Sequence, residues 1–208
     1  MKATALIPAY NEEARIGAVV AVAREAGLAV LVVDDGSTDR TAEAARQAGA
    51  EVLRLEENQG KSAALAWGLS HIETPYLVLL DADLVGLRPE HLRHLLEPVE
   101  AGRLEMTIGL FRAGGLLTDL GNRATPHLSG QRACRTDWLR SVPNLTQQRW
   151  PEPAITEHLA RTGARWAYVQ LEGASQVMKE QKRGFWKGLW LRLKMYGELL
   201  RYRSGNRA

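Results

Sequence analysis

Short apolar runs alternate with amphipathic stretches along the first hundred residues of the chain. Four runs have the length and composition of strands: ATALIPAY, AVLVVDDGS, EVLRLE and YLVLLDAD. Four other stretches carry apolar residues at helical spacing: EEARIGAVVAVAREAG, STDRTAEAARQAGA, KSAALAWGLSHI and RPEHLRHLLEPV. Strands that alternate with helices form a mostly parallel sheet, because parallel neighbours need crossover connections. The pattern therefore predicts an α/β fold with helices flanking the sheet.

The alternation is weaker in the second half of the chain. MTIGLF and RWAYVQLE are typical of strands, PAITEHLARTG is typical of a helix, and RAGGLLTDLGNRATPHLSGQ is typical of a long, glycine-rich loop. Loops of that length in compact domains are often functional. Residues 181–203 predict a long basic, aromatic helix. We therefore expect one domain over residues 1–178, followed by a basic amphipathic helical extension over residues 179–208.

Polar side chains stand where three of the predicted strands end. They are Asn11 after the first strand, Asp34 and Asp35 after the second, and Asp81 and Asp83 after the fourth. Ligands of parallel sheets bind beyond the carboxyl ends of the strands, so these residues are expected to line one crevice. One acid of the adjacent pair has a structural use, because it can accept backbone N–H bonds at the following turn. The other is expected to point into the crevice.

The two aspartates of LLDADL are spaced to share a ligand. Carboxylates at positions i and i+2 can reach the same side, where a divalent cation removes their mutual repulsion. Mg²⁺ and Mn²⁺ prefer oxygen ligands and commonly carry substrate phosphates. A solvated turn after the strand is the plain alternative.

Missing motifs and the composition exclude several classes of protein. There is no GxxxxGK[ST] phosphate loop and no GxGxxG after the first strand, so a dinucleotide-type site is not expected. Cys134 is the single cysteine, which excludes an internal disulfide framework and a cysteine zinc site. No uncharged apolar run approaches the ~18–20 residues of a membrane span, and the start is unlike a signal peptide. The expected location is the cytoplasm.

Charge is distributed unevenly along the chain. Residues 179–208 hold nine Lys or Arg and two Glu, whereas the rest holds 18 basic and 22 acidic residues. An anionic partner is therefore expected to meet the tail, and no nucleic acid is expected as a partner. A basic helix with Trp186 and Trp190 fits an anionic membrane surface, which would make the protein peripheral at the inner face of the membrane. Packing on the domain, or on a sister subunit in a homodimer, is the alternative.

Four motifs between residues 5 and 83 carry a resemblance to a known family. IPAYNEE, VVDDGSTDRT, NQGKSAALAWGL and LLDADL, in this order and spacing, resemble a bacterial, nucleotide-sugar-dependent family-2 glycosyltransferase with a GT-A, Rossmann-like fold. The resemblance implies transfer of a sugar from a nucleoside-diphosphate sugar to a hydroxyl or phosphate acceptor, with inversion and with Mg²⁺ or Mn²⁺. It also implies a nucleotide-sugar-binding half at residues 1–100 and an acceptor-side half at residues 101–178.

The resemblance also implies roles for individual residues. The positions around the base and ribose would be Pro8, Ala9, Tyr10 and Glu12, with Asp35 at the base edge and Asp34 supporting it. Lys61 would approach the nucleotide. Asp81 and Ala82 would contact the donor, Asp81 at the ribose, while Asp83 would bind the metal that bridges the diphosphate.

The acceptor side is implied by LSGQRACRTDWL and WPEPAITEHLARTG, which resemble the corresponding segments of the family. The match places Glu152 at the acceptor pocket, where a carboxylate can act as general base. A first-turn helix acid is the alternative, and Glu157 is the reserve candidate for the base. Gln176 stands where related sequences often carry a metal-binding His, so diphosphate and water are expected to complete the coordination; His127 is a further candidate ligand.

Several alternatives stay open from the sequence. The acceptor is a sugar, a small hydroxy acid or a polyprenyl phosphate. A non-catalytic GT-A relative that binds lipid or protein is a second hypothesis. A haloacid-dehalogenase-type phosphatase is a third, because LLDADLV partly imitates its nucleophile motif; that family places the motif on its first strand. A sugar nucleotidyltransferase is a fourth, but the glycine-rich opening loop of that class is missing.

Overall fold

The computed structural model describes residues 2–112, 129–147 and 150–176. The chain divides into two compact units, residues 1–175 and 176–208. The helix predicted over residues 181–203, and His127, lie outside the described residues.

Nine strands and six helices occur in the described part of the chain. The strands are β1 (Ala3–Ala9), β2 (Ala29–Asp34), β3 (Glu51–Arg54), β4 (Tyr76–Leu79), β5 (Leu84–Val85), β6 (Met106–Arg112), β7 (Arg132–Arg135), β8 (Trp166–Glu172) and β9 (Ser175–Gln176). The helices are α1 (Ile16–Glu25), α2 (Thr41–Gln47), α3 (Lys61–Ser70), α4 (Pro89–Glu100), α5 (Thr136–Arg140) and α6 (Glu152–Thr162). None of these helices combines the length and the apolar character that a membrane crossing requires.

Seven strands form one sheet in the order β3-β2-β1-β4-β7-β6-β8, while β5 and β9 form a separate two-stranded sheet. β1, β2, β3 and β4 run parallel to one another, and β8 runs parallel to β6. β7 alone is inserted antiparallel, between β4 and β6. The predicted fold class, a mostly parallel sheet flanked by helices, is confirmed.

The core fills both faces of this sheet, because successive strand residues point to opposite sides. Ala5 and Ile7 of β1 pack with α1, α2 and α4 on one face. Leu6 packs with α3, α5 and α6 on the other. α3 lies so close to the sheet that a Cβ on Gly68 would be 2.5 Å from Leu6 Cδ1. The helix on which Lys61 stands is therefore held firmly against β1.

Two local features differ from the sequence expectation. The fourth strand ends at Leu79, so residues 80–83 form the connection to β5, with a turn at residues 82 and 83, rather than the end of the strand. β7 was not expected, because RACR is short and carries two charged residues, yet Arg132, Ala133 and Cys134 are all buried. Burial between two partner strands, rather than a local pattern, makes this segment a strand.

Candidate active site

The carboxyl ends of β1, β2 and β4 lie side by side, and the predicted site residues follow them. Pro8 and Ala9 close β1, Asp34 closes β2, and Asp81 follows β4. Lys61 begins α3 at the same edge of the sheet, immediately after Gly60. Gly60 has a φ of 96°, a left-handed conformation that favours glycine and turns the chain into the helix.

The loop after β1 is tied to the loop after β2. The backbone N–H of Asn11 donates to Ser37 Oγ at 2.9 Å, and Asn11 Oδ1 accepts from the N–H of Thr38 at 2.9 Å. The N–H of Glu12 donates to Thr41 Oγ1 at 2.8 Å. Asn11, expected in the crevice, thus joins the two loops, while Tyr10 beside it is exposed.

Both acids of the DDGS motif bind backbone groups. Asp34 is fully buried, and its Oδ1 accepts from the N–H of Ser37 at 3.0 Å. Asp35 is also buried, and its two oxygens accept from the N–H groups of Gln59 at 2.8 Å and Gly60 at 2.9 Å. Asp34 therefore holds its own turn, and Asp35 holds the entry into α3. The contact of Asp35 with a base edge stays a prediction.

Lys61 bridges two carboxylates that come from distant parts of the chain. Its Nζ donates to Asp81 Oδ1 at 2.7 Å and to Glu152 Oε1 at 2.5 Å. Burial by itself would lower the pKa of the Lys61 ammonium, but the charges of Asp81 and Glu152 and the hydrogen bonds to them raise it. Lys61 therefore remains protonated at neutral pH, and the bonds are of the stronger, charge-assisted kind.

Glu152 is the first residue of α6 and is 7% exposed. No side-chain cap hydrogen bond forms at the start of this helix. The carboxylate instead reaches Lys61, 91 residues away in the chain. Glu157, the reserve candidate, lies exposed one turn later. Local sequence offered no signal for the pairing of Glu152 with Lys61.

A second group of residues at this site comes from LSGQRACRTDWL, the segment that the resemblance placed on the acceptor side without giving its residues individual roles. Gln131 Nε2 donates to Asp81 Oδ2 at 2.7 Å. A Cβ on Gly130 would lie 2.5 Å from Asp81 Oδ2 and 2.8 Å from Lys61 Nζ, so only glycine leaves room for this pair. Arg132, fully buried, lines the same small pocket, and burial lowers the pKa of its guanidinium while the charge of Glu152 opposes that shift. The resemblance of LSGQRACRTDWL to the corresponding segment of the family was the signal for these residues, but it did not predict the contact between Gln131 and Asp81.

The pocket lies where α3, α6 and the segment before β7 approach the carboxyl ends of β1 and β4. Its lining includes Pro8, Lys61, Gly130, Arg132, Pro151 and Glu152. The structure thus brings together sequence-predicted residues from both halves of the chain. Tyr10, Glu12 and Asp35 do not line this pocket.

Asp83 lies in the turn between β4 and β5 and is 9% exposed, with Ala82 buried beside it. Within residues 2–112, 129–147 and 150–176, no group of three or more His, Cys, Asp or Glu side chains is arranged to hold a metal ion. The side chain of Gln176 lies outside the described part of the structure. Binding of a metal ion by Asp83 stays a prediction.

Relatives identified from the sequence are glycosyltransferases. The chain is 44% identical over 80 residues to glycosyltransferase AglJ of Haloferax volcanii, covering 38% of this chain and 26% of that protein. It is 37% identical over 100 residues to 4,4'-diaponeurosporenoate glycosyltransferase of Staphylococcus aureus, covering 45% of this chain and 27% of that protein. The matched part spans about a quarter of the length of these curated relatives.

Solved structures with the same fold include glucosyl-3-phosphoglycerate synthase of Mycobacterium tuberculosis. Its complex with phosphoglyceric acid superposes with a TM-score of 0.69 at 24% identity, covering 85% of this chain and 72% of that one. Its complex with Mn²⁺ and UDP-glucose gives a TM-score of 0.70 at 24% identity, covering 85% and 71%. This likeness establishes the fold. The sequence model of the family "Glycosyl transferase family 2" matches residues 4–162. The chain therefore belongs to glycosyl transferase family 2, as its motifs predicted.

Proposed function

We propose that this chain transfers a sugar from a nucleoside-diphosphate sugar to a hydroxyl or phosphate acceptor, with inversion and with a divalent metal ion. The observation that carries the proposal is the Lys61 bridge between Asp81 and Glu152. It joins the donor-side motif to the acceptor-side helix within a family-2 fold. The cluster is buried and stands at the carboxyl ends of parallel strands, where sheets of this kind bind their ligands.

The donor site proposed here follows the edge of the sheet. Around the base and ribose we place Pro8, Ala9, Tyr10, Glu12, Asp34, Asp35, Asp81 and Ala82. Lys61 supplies positive charge near the diphosphate, which is where negative charge increases as the glycosidic bond breaks. The complexes of the mycobacterial synthase with Mn²⁺ and UDP-glucose, or with Mg²⁺ and UDP, support a nucleotide donor and a divalent cation.

Asp83 is the residue that would hold the cation. A single carboxylate, completed by phosphate oxygens and water, fits the way in which Mg²⁺ is usually bound in sites that handle phosphates. When bound, the cation would neutralise charge on the leaving diphosphate. A nearly buried carboxylate in a turn beside the proposed ribose contact suits that role.

Glu152 is the proposed general base for the acceptor hydroxyl. Its carboxylate lines the pocket at the start of α6, and Oε1 accepts a hydrogen bond from the ammonium of Lys61. The acceptor is proposed as a sugar, a small hydroxy acid or a polyprenyl phosphate. Phosphoglyceric acid in a complex of the mycobacterial synthase supports the small hydroxy acid.

Thermal denaturation with and without ligand tests the donor site. UDP, GDP and dTDP are screened with Mn²⁺, and we expect one of them to raise the Tm. A ligand at 100 times its Kd adds about 2.7 kcal/mol to the free energy of unfolding. For a chain of this size that corresponds to a shift of about 5–10 °C. Asp83→Ala is expected to abolish the Mn²⁺-dependent part of the shift.

Asp137→Ala is the matched control, because Asp137 is an exposed aspartate on α5, outside the pocket. It is expected to keep the full shift. If none of the three nucleotides shifts the Tm of the unaltered protein, the donor site is refuted and the non-catalytic alternative is favoured. Family membership leaves the phosphatase alternative without support.

A further inference from the structure

The Asp81 carboxylate is held from two sides by donors of different kinds. Oδ1 accepts from the Lys61 ammonium and Oδ2 accepts from the Gln131 amide, each at 2.7 Å. The register of the antiparallel pair β4–β7 explains the second contact, because Leu79 lies opposite Arg132. One step further along both strands, Gln131 comes level with the turn that carries Asp81.

The Gln131 amide is itself fixed in one orientation. The residue is 1% exposed, and Ser129 Oγ lies 3.0 Å from its Oε1, sharing its one hydroxyl proton between this oxygen and the backbone O of Gly109 at 2.5 Å. Because a carboxylate only accepts hydrogen bonds, the NH₂ group must face Asp81 and the oxygen must face Ser129. The backbone O of Gln131 accepts from the N–H of Gly109 at 2.8 Å, which ties the segment to β6. Gln131 is thus a rigid donor.

The Gln131 amide is uncharged, and this affects how Asp81 can interact with Lys61. It restricts rotation of the Asp81 carboxylate without neutralising its charge, so that charge stays available to Lys61. A lysine or arginine in its place would compete with Lys61 for Asp81. Gly130 leaves the room in which this geometry forms, since a Cβ there would displace the carboxylate.

We propose that Gln131 is a positioning residue that orients Asp81 toward Lys61 and the donor nucleotide. The inference rests on the proposed donor site. It predicts that loss of the Gln131 amide weakens nucleotide binding through Asp81, the residue to which the amide donates.

Calorimetric titration with the nucleoside diphosphate selected by the thermal screen, in the presence of Mn²⁺, tests this role. Gln131→Met is expected to weaken binding about tenfold, the factor for one lost hydrogen bond to a charged group. Ser129→Ala, which frees the amide, is a milder second variant and is expected to weaken binding in the same direction. Gln47→Met is the matched control, because Gln47 is an exposed glutamine at the end of α2, and it is expected to bind as the unaltered protein does.

Gln131→Glu, alone and together with Asp81→Asn, separates an effect on nucleotide binding from an effect on the stability of the fold. In Gln131→Glu two carboxylates face each other, so both the Tm without ligand and the affinity are expected to fall. Adding Asp81→Asn restores a hydrogen bond with its polarity reversed, and the Tm is expected to recover while the affinity does not. Wild-type affinity in Gln131→Met overturns the positioning role alone, whereas recovery of affinity in the double variant would remove the Asp81 carboxylate as a donor contact. No binding by the unaltered protein overturns the proposed donor site and this inference together.

Discussion

Lys61 carries one positive charge between two carboxylates, and this shapes the proposed chemistry of Glu152. A base must be free to accept a proton from the acceptor, whereas Glu152 Oε1 is already held by an ammonium at 2.5 Å. Lys61 is also proposed to meet the donor diphosphate. A diphosphate would compete with Glu152 for the ammonium, so donor binding is expected to make Glu152 a better acceptor of protons.

Glu152→Gln tests the base. The amide oxygen can still accept from Lys61, so binding of the nucleoside diphosphate with Mn²⁺ is expected to stay within a few-fold of that of the unaltered protein. Turnover with the true acceptor is expected to fall by ~10²–10⁴-fold, the usual contribution of general-base catalysis. Steady-state kinetics together with calorimetry measure the two quantities.

Glu157→Gln makes the same chemical change one turn later on α6, at an exposed position, and is the control. It is expected to retain turnover. Unchanged turnover in Glu152→Gln would remove Glu152 as the base, and a loss confined to Glu157→Gln would transfer the role to the reserve candidate.

Among the elements, the start of α4 is fastened by a histidine rather than by the usual hydroxyl or carboxylate cap. His91 Nδ1 accepts from the backbone N–H of Arg88 at 3.2 Å. The Arg88 guanidinium lies 3.1 Å from His91 Nε2 and also donates to the backbone O of Glu172 at 3.3 Å. Through Arg88, the cap therefore joins the start of α4 to the end of β8. Arg88 lies on the segment that follows the turn of Asp83 in the chain.

Burial, followed by the charge of Arg88, lowers the pKa of His91, although the charge of Glu90 opposes this. A histidine with a lowered pKa in the folded state binds fewer protons than in the unfolded state. Its contribution to stability is thus complete above the unfolded pKa of about 6.5 and is lost as the pH falls toward the folded value. Burial, followed by the charge of Arg161, also lowers the pKa of His158, so this residue too makes the folded state less stable as the pH falls.

Urea denaturation at pH 7.5 and 5.5 checks this prediction. The free energy of unfolding is expected to be lower at pH 5.5, and His91→Gln is expected to reduce the difference. Glutamine at the third helical position can still accept from the N-cap N–H, so the loss at pH 7.5 should be only about 1 kcal/mol. His94→Gln changes an exposed histidine on the same helix, whose charge lowers the pKa of His91 less than burial and Arg88 do, and it is expected to keep most of the difference. If the free energy of unfolding of His91→Gln differs between pH 7.5 and 5.5 as much as that of the unaltered protein, His91 is not the source of the pH dependence.

At the scale of the whole molecule, the basic segment over residues 179–208 is the largest feature outside the described residues. Its nine basic and two acidic residues stand against a mildly acidic remainder. The helical extension, the domain boundary at residue 178, and the choice between membrane surface and homodimer all stay predictions. A cytoplasmic protein held at the inner face of the membrane would fit a polyprenyl phosphate acceptor.

Flotation of the full chain with vesicles tests the membrane prediction. Binding to vesicles rich in anionic lipid is expected at low salt and is expected to weaken as salt screens the charges, because basic residues contribute about 1 kcal/mol each near such a surface. Neutral vesicles serve as the control. Failure to float with anionic vesicles at low salt would contradict the prediction, and a dimer in sedimentation under the same conditions would favour the alternative.

Local sequence by itself determined the parallel half of the sheet, its flanking helices and the family. Strand and helix periodicity depend on neighbours within a few residues, and the motifs from IPAYNEE to LLDADL lie on that regular part. The tertiary structure alone decided that RACR is an antiparallel strand, that Asp35 binds the entry of α3, and that Lys61 meets Glu152 across 91 residues. These contacts depend on which segments pack together, because burial and pairing with distant partners outweigh local preference. A sequence pattern could therefore name Asp81 and Glu152, but only the fold could show that one ammonium joins them and that the Gln131 amide donates to the first.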